Sequence, residues 1–332
     1  MRRLAIRMGF VGLLAIAMTT CPSLATAQNT ADPPKRLGFL SGFGCGTDAN
    51  PSPMRRRLAE LGWVGGRTLI VDCVSTVHPD QADALAAELV ARRPDVLAAQ
   101  PTDYVRALKQ ATATIPIIMV TTPNPVESGL VINLERPEAN VTGVVSSGRE
   151  VAAKRFGLLK RLLPRLAKLA VIERKGGDAD VKAQLEKDVT DAATKLGFAW
   201  QAFYPAAPED YDAIFARLAA EGFDAAYVEP GPLLDANQTR IAGLAMRHRV
   251  PTVGNYIYHA ENGLLLAYGE AANPINGRAA EYIDKILRGA KPGELPIQGP
   301  VKFNLAVNLK TAKALGLSIP ESFLLSADKV IK

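Results

Sequence analysis

The chain has 332 residues, is 48% hydrophobic and 22% charged, and carries a formal charge of +6. That composition is ordinary for a globular protein long enough to form two lobes, and it excludes a disordered chain. Three of the excess positive charges, Arg2, Arg3 and Arg7, lie at the N-terminus, and the remainder is too small to imply the basic face that a nucleic-acid partner requires.

Those arginines precede an apolar stretch over residues 8–18, and Ala25-Thr26-Ala27 places small residues where a signal peptidase reads. This is a secretory layout, predicted to span 1–27 and to start the mature chain at Gln28 in the periplasm. The stretch is shorter than the roughly 20 apolar residues that cross a bilayer. Thr20 before Cys21 argues against a lipid anchor, since lipid-modified precursors carry a smaller residue there.

From residue 36 onward, short apolar runs alternate with amphipathic ones, which is the rhythm of βα units. Strands are predicted at 36–40, 68–74, 95–99, 116–120 and 141–145. Met54, Leu58 and Leu61 mark the first helix, Ala82, Leu85, Ala86 and Leu89 the apolar face of 81–92, and 103–112 the third helix. Nearly all-apolar strands describe a parallel sheet covered on both faces.

The rhythm then restarts with a helix over 152–163 and a strand over 168–172. Val181, Leu185, Val189 and Leu196 follow as a helical stripe, then strand 199–204, then Tyr211, Ile214, Phe215 and Leu218 at helical spacing. Strand 225–228, a helix carrying Ile241 and Leu244, a short strand at Thr252 and a strand over 263–268 complete a second sheet. A helix over 277–288, a strand over 301–307 and a short helix ending at Gly316 form the tail. The predicted organisation is one lobe of 28–147 plus about 271–297 and another of 148–270 plus about 298–332, the tail's own lobe being open. Ligands of open α/β sheets sit beyond the carboxyl ends of the strands, and two such ends would face each other here.

Cys45 follows the first strand and Cys73 sits at the end of the second, so neighbouring parallel strands would bring them together. A disulfide is expected, with two separate thiols as the alternative. Closing that loop contributes roughly 3 to 4 kcal/mol.

The stretch TTPNPVESGLVINLERPEANVTGV, residues 121–144, resembles the signature of a bacterial family of ABC-transporter substrate-binding proteins that includes tryptophan and tyrosine uptake proteins. LAELGWVGGRTLIVD at 58–72, LAAELVARRPDVLAA at 85–99 and FNLAVNLKTAKALGLSIPESFLLSADKVI at 303–331 are similar to the same family in the same order. The resemblance implies an α/β fold of two doubly wound parallel-sheet lobes, the type I periplasmic-binding architecture, with hinge crossings near 146–149, 269–273 and 298–301. It implies a monomer that captures a small polar or amino-acid-like ligand, partners the transmembrane permease subunits of an ABC importer, uses no cofactor and catalyses nothing.

In that family the ligand is met by loops at strand ends. Here these are Ser41, Gly42 and Phe43; Gln100 and Thr102, where a helix begins and its first amides can take a carboxylate; Thr121, Thr122 and Asn124; and Ser146 and Ser147. Turn and helix capping is the competing role for each Ser and Thr. In the second lobe, Glu173-Arg174-Lys175-Gly176 departs from the Asn-Pro of many relatives, and Glu229-Pro230 stands where aromatic amino-acid binders carry Asp. Glu173, Glu229 and Tyr256 are the candidates there, with Tyr258 and Tyr268 as further apolar surface.

Other functions fit less well. Gly42-x-Gly44 begins a dinucleotide fingerprint, but Thr47 occupies the third glycine position and Pro51 and Pro53 interrupt. There is no GxSxG or HExxH, and His78, His248 and His259 are too scattered for hydrolysis or a zinc site. A ligand-sensing subunit for a receptor shares every feature above and is the alternative to transport.

Overall fold

The computed structural model describes residues 33–47, 51–146, 149–270, 272–300 and 302–332. The expected signal segment, Ser147 and Val301 lie outside the described residues.

The first lobe is built from β1 (Lys35–Ser41), α1 (Pro53–Glu60), β2 (Leu69–Ser75), α2 (Ala82–Ala91), β3 (Val96–Gln100), α3 (Thr102–Ala111), β4 (Ile117–Thr122) and β5 (Val141–Val145). Its five strands are parallel in the order β2-β1-β3-β4-β5. β3 is buried throughout, as a central strand covered on both faces must be. Gly143 in β5 has φ 136°, and a Cβ there would stand 2.3 Å from the Met119 carbonyl oxygen. Only glycine permits that approach, at the point where the β4 and β5 register shifts.

The second lobe follows with α4 (Arg149–Leu162), β6 (Lys168–Ile172), α5 (Ala179–Leu196), β7 (Ala199–Phe203), α6 (Asp210–Ala220), β8 (Ala225–Val228), α7 (Pro232–Ala236), α8 (Gln238–Arg247), β9 (Thr252–Gly254), α9 (Ile257–Glu261) and β10 (Leu266–Glu270). After it come α10 (Ala272–Leu287), β11 (Phe303–Asn308), α11 (Leu309–Ala314), α12 (Glu321–Leu324) and β12 (Lys329–Ile331). The second sheet runs β12-β11-β10-β9-β8-β6-β7. It is parallel except where β11 pairs antiparallel with β10, a common arrangement at the side of a doubly wound sheet. Both α/β lobes have the type I periplasmic-binding architecture.

Helix α10 lies against the first sheet, where Ile275, Ala279, Tyr282 and Ile283 join Leu37, Phe39, Ile118 and Val120 in one core. The chain then returns to the second sheet as β11. Each sheet is filled on both faces by such cores, and each fully buried Leu or Phe in them contributes about 1.5 to 3 kcal/mol. Cys45 and Cys73 are bonded, with Cα atoms 5.8 Å apart. No described helix is long and apolar enough to cross a membrane.

Candidate ligand-binding cleft

The carboxyl ends of strands from both sheets meet around one cavity of about 150 Å³. Phe43 after β1, Thr102 after β3, Thr121 in β4 and Ser146 after β5 line it from the first sheet. Glu173 after β6, Glu229 after β8, Tyr256 after β9 and Glu270 at the end of β10 line it from the second. A smaller cavity of about 90 Å³ shares Pro123, Val181, Leu185, Glu229 and Asn255 with the first and extends to Asn124 and Arg155. Both fall below the roughly 300 to 1,000 Å³ of sites for drug-sized molecules, so the space suits a small metabolite.

The structure does not bring every candidate to the wall. Ser41 is fully buried, and its Oγ accepts from Phe43 N at 3.1 Å, which makes it a turn cap. Gln100 lies behind it, its Nε2 3.5 Å from that oxygen. Thr122 is fully buried in β4. Gly42 is where the lobes touch: a Cβ there would lie 2.4 Å from Pro232 Cγ, so any larger residue would pry the cleft apart.

Among the described residues, three ion pairs join the lobes across this cleft, the third between Arg106 and Asp180 in α5 at 3.3 Å. Arg174, after β6, donates to Asp103 in α3. Arg106 in α3 donates through Nε to Asp178 Oδ2 at 2.6 Å. Asp178 is also the N-cap of α5, its Oδ1 accepting from Asp180 N at 3.1 Å and Val181 N at 3.3 Å. One carboxylate thus starts a helix of the second lobe and holds a helix of the first. Arg174 Nη1 and Glu173 Oε1 are buried without a hydrogen-bond partner, one a donor and the other an acceptor.

Electrostatics concentrate on the second-lobe wall. Burial raises the Glu173 carboxyl, while Lys182 and the Tyr204 hydroxyl pull it back. Glu229 is pushed up to about 7, mainly by burial, against the lowering effects of the Tyr227 hydroxyl and Arg155. Tyr227 reaches both Glu229 Oε2 and Asn255 Oδ1, the latter at 2.8 Å. A hydroxyl has one proton to give, so Tyr227 donates to Glu229 when that carboxyl is ionised, which is how it lowers Glu229, and can donate to Asn255 when Glu229 is protonated and donates to it.

Behind the wall, Asp235 accepts from Gly231 N at 2.8 Å, Tyr258 Oη at 3.0 Å and His259 Nε2 at 3.0 Å. The Asn255 amide donates to His259 Nδ1 at 3.1 Å, which places the imidazole proton on Nε2. This network fixes the two loops that present Gly231 and Tyr256 to the cavity. Sequence reasoning missed Asp103, Arg155, Asn255, Glu270 and the role of Asp178. Of these, Asn255, next to Tyr256 after β9, and Glu270, the last residue of β10, carried the strand-end signal. Among the described residues, no group of three or more His, Cys, Asp or Glu is placed to hold a metal ion.

The sequence pattern of the family described as ABC transporter substrate binding protein matches residues 46–331. The chain belongs to this family. Among curated relatives of the substrate-binding protein is a tyrosine-binding protein from Clostridioides difficile (strain R20291), 24% identical over 277 residues, 83% of this chain and 77% of the relative. Among solved structures, a conserved domain protein from Vibrio cholerae superposes with a TM-score of 0.81 at 25% identity, over 90% of this chain and all of the other. An ABC domain from Streptococcus pneumonia in complex with L-Trp superposes with a TM-score of 0.79 at 23% identity, with the same coverage.

Proposed function

We propose that this substrate-binding protein captures a small amino-acid-like ligand between its lobes in the periplasm and presents it to the permease of an ABC importer. The observation that carries this reading is the pairing of opposite recognition chemistries in one cavity. At one side, Thr102 and the first amides of α3, which have no carbonyl of their own helix to bond, line the cavity with Arg174, which pairs with Asp103 of the same turn. At the other, Glu229 and Glu173 offer carboxylates. An α-carboxylate belongs at the first and an α-ammonium at the second. The tyrosine and L-Trp carried by the relatives named above support the amino-acid class.

On this reading Ser41, Gly42, Gln100 and Thr122 support the loops, while Phe43, Thr102, Thr121, Asn124, Ser146, Glu173, Glu229 and Tyr256 face the ligand. Closure forms the surface a permease docks on, because contacts made only in the closed state are what a ligand adds. Native mass spectrometry of protein exported to a periplasm, followed by a thermal-shift screen of amino acids on refolded protein, tests it. A bound small molecule, or one class raising the melting temperature with concentration, is the expected result. Turnover of a substrate with no retained ligand would overturn it.

A further inference from the structure

The charges around the cavity do not balance. Asp103 is matched by Arg174, and Asp178 by Arg106. Glu270 has a partner of its own. Lys182, at the rim, has its ammonium 4.2 Å from the centre of the Tyr204 ring and 3.8 Å from Glu186. Arg155 donates to the Tyr268 carbonyl at 2.8 Å and to the Tyr227 hydroxyl at 3.3 Å, neutral groups that leave its charge to act on Glu229 through space. Among the described residues, that leaves Glu173 and Glu229 as two carboxyl groups on one wall with no cation bonded to either, though Lys182 and the Tyr204 hydroxyl act on Glu173.

Their placement is set by the sheet. Ile172 in β6 is the register partner of Val228 in β8, and the Glu229 amide donates to the Ile172 carbonyl at 2.9 Å. The next residue on each strand is therefore Glu173 beside Glu229, neighbours across roughly one strand spacing of about 4.8 Å. Glu173 is only 5% exposed, and its Oε1 is buried and unpartnered while its side chain lines the cavity. A buried acceptor left bare costs the desolvation of that atom, and a donor arriving with the ligand would relieve that cost.

Resting on the amino-acid reading above, we propose that the ligand is a cationic amino compound, a basic amino acid in preference to a neutral one, with Glu229 and Glu173 together receiving its positive charge. A neutral amino acid brings one ammonium, which answers one of the two carboxyl groups and is offset by its own carboxylate. A basic amino acid brings a second cationic group with several N–H donors and answers both. Glu173 is thereby the residue that sets selectivity, and Glu229 the residue that serves any amino acid.

The test is isothermal titration calorimetry of the purified protein, wild type and Glu173→Gln, with L-lysine, L-arginine, L-leucine, L-tryptophan and cadaverine. L-Lysine or L-arginine is expected to bind at least about tenfold more tightly than either neutral amino acid. E173Q is expected to weaken L-lysine and L-arginine far more than the neutral amino acids, so that the preference disappears, and to melt no lower than wild type, which shows that it folds. Neutral amino acids binding as tightly as L-lysine, or lysine affinity unchanged in E173Q, would overturn the cationic class and leave amino-acid capture standing. Cadaverine binding without any amino acid would support the cationic class and overturn the carboxylate half of the proposed function. No binding by any of the five would overturn the cationic inference.

Discussion

Glu229 makes the protein sensitive to pH in a direction its environment dictates. Its ordinary value is 4.5 and its folded value about 7, with Arg155, the Tyr227 hydroxyl, Glu173 and Asp235 acting on it. Between those values the folded chain keeps a proton that the unfolded chain releases, so the Glu229 contribution is present below pH 4.5 and is lost as pH rises through 7. Glu229→Gln is expected to raise stability at pH 8 by on the order of 1 to 2 kcal/mol, allowing for water in the cleft, and to change little at pH 4. Chemical denaturation at the two pH values checks this. A cationic ligand favours the ionised carboxyl, so affinity is expected to climb from pH 6 to 8, with proton release on binding below 7. His259, buried at 2% exposure with both ring nitrogens engaged, has a supporting role. Its replacement by Ala leaves Asp235 and the Asn255 amide short of a partner, and a loss of about 2 to 3 kcal/mol in denaturant unfolding is expected.

At the scale of elements, α3 and α5 carry the closure. Asp178→Ala removes the cap of α5 and the shorter of the two carboxylate contacts of Arg106 in one change, leaving the one to Asp180. The cap alone is worth about 1 kcal/mol, and the lost ion pair is expected to shift the ligand-free protein toward an open form, read as a larger radius of gyration. Arg106→Ala, which leaves the cap intact, separates the two effects by opening the cleft without the loss of stability. The positions of Phe43, Thr102, Thr121, Ser146, Glu173, Glu229 and Tyr256 were legible because each follows or ends a strand, and the βα rhythm locates strand ends. Asp103, Arg155 and Asp178 were not, because they sit in helices or serve as caps and reach the cavity only through tertiary closure. Short elements escaped for a related reason. α7 and α9 have five residues each and β12 three, too few for a hydrophobic period to repeat. The antiparallel step from β10 to β11 depends on where α10 returns the chain, which local sequence does not encode.

For the whole molecule, the Cys45–Cys73 bond closes a loop of sequence separation 28, and its reduction is expected to lower stability by about 3 kcal/mol. Denaturant unfolding with and without reductant measures it. The larger claim is that two lobes, each a sheet filled on both faces, use the ends of their strands as the two jaws of one cleft. Ion pairs such as Arg174 with Asp103 close the jaws, and unpaired carboxyls such as Glu173 wait inside. Small-angle X-ray scattering of refolded, ligand-stripped protein, titrated with L-lysine, tests that claim most directly. A radius of gyration that falls to a plateau as ligand saturates is the expected result, and binding without any change in the scattering curve would contradict capture by closure.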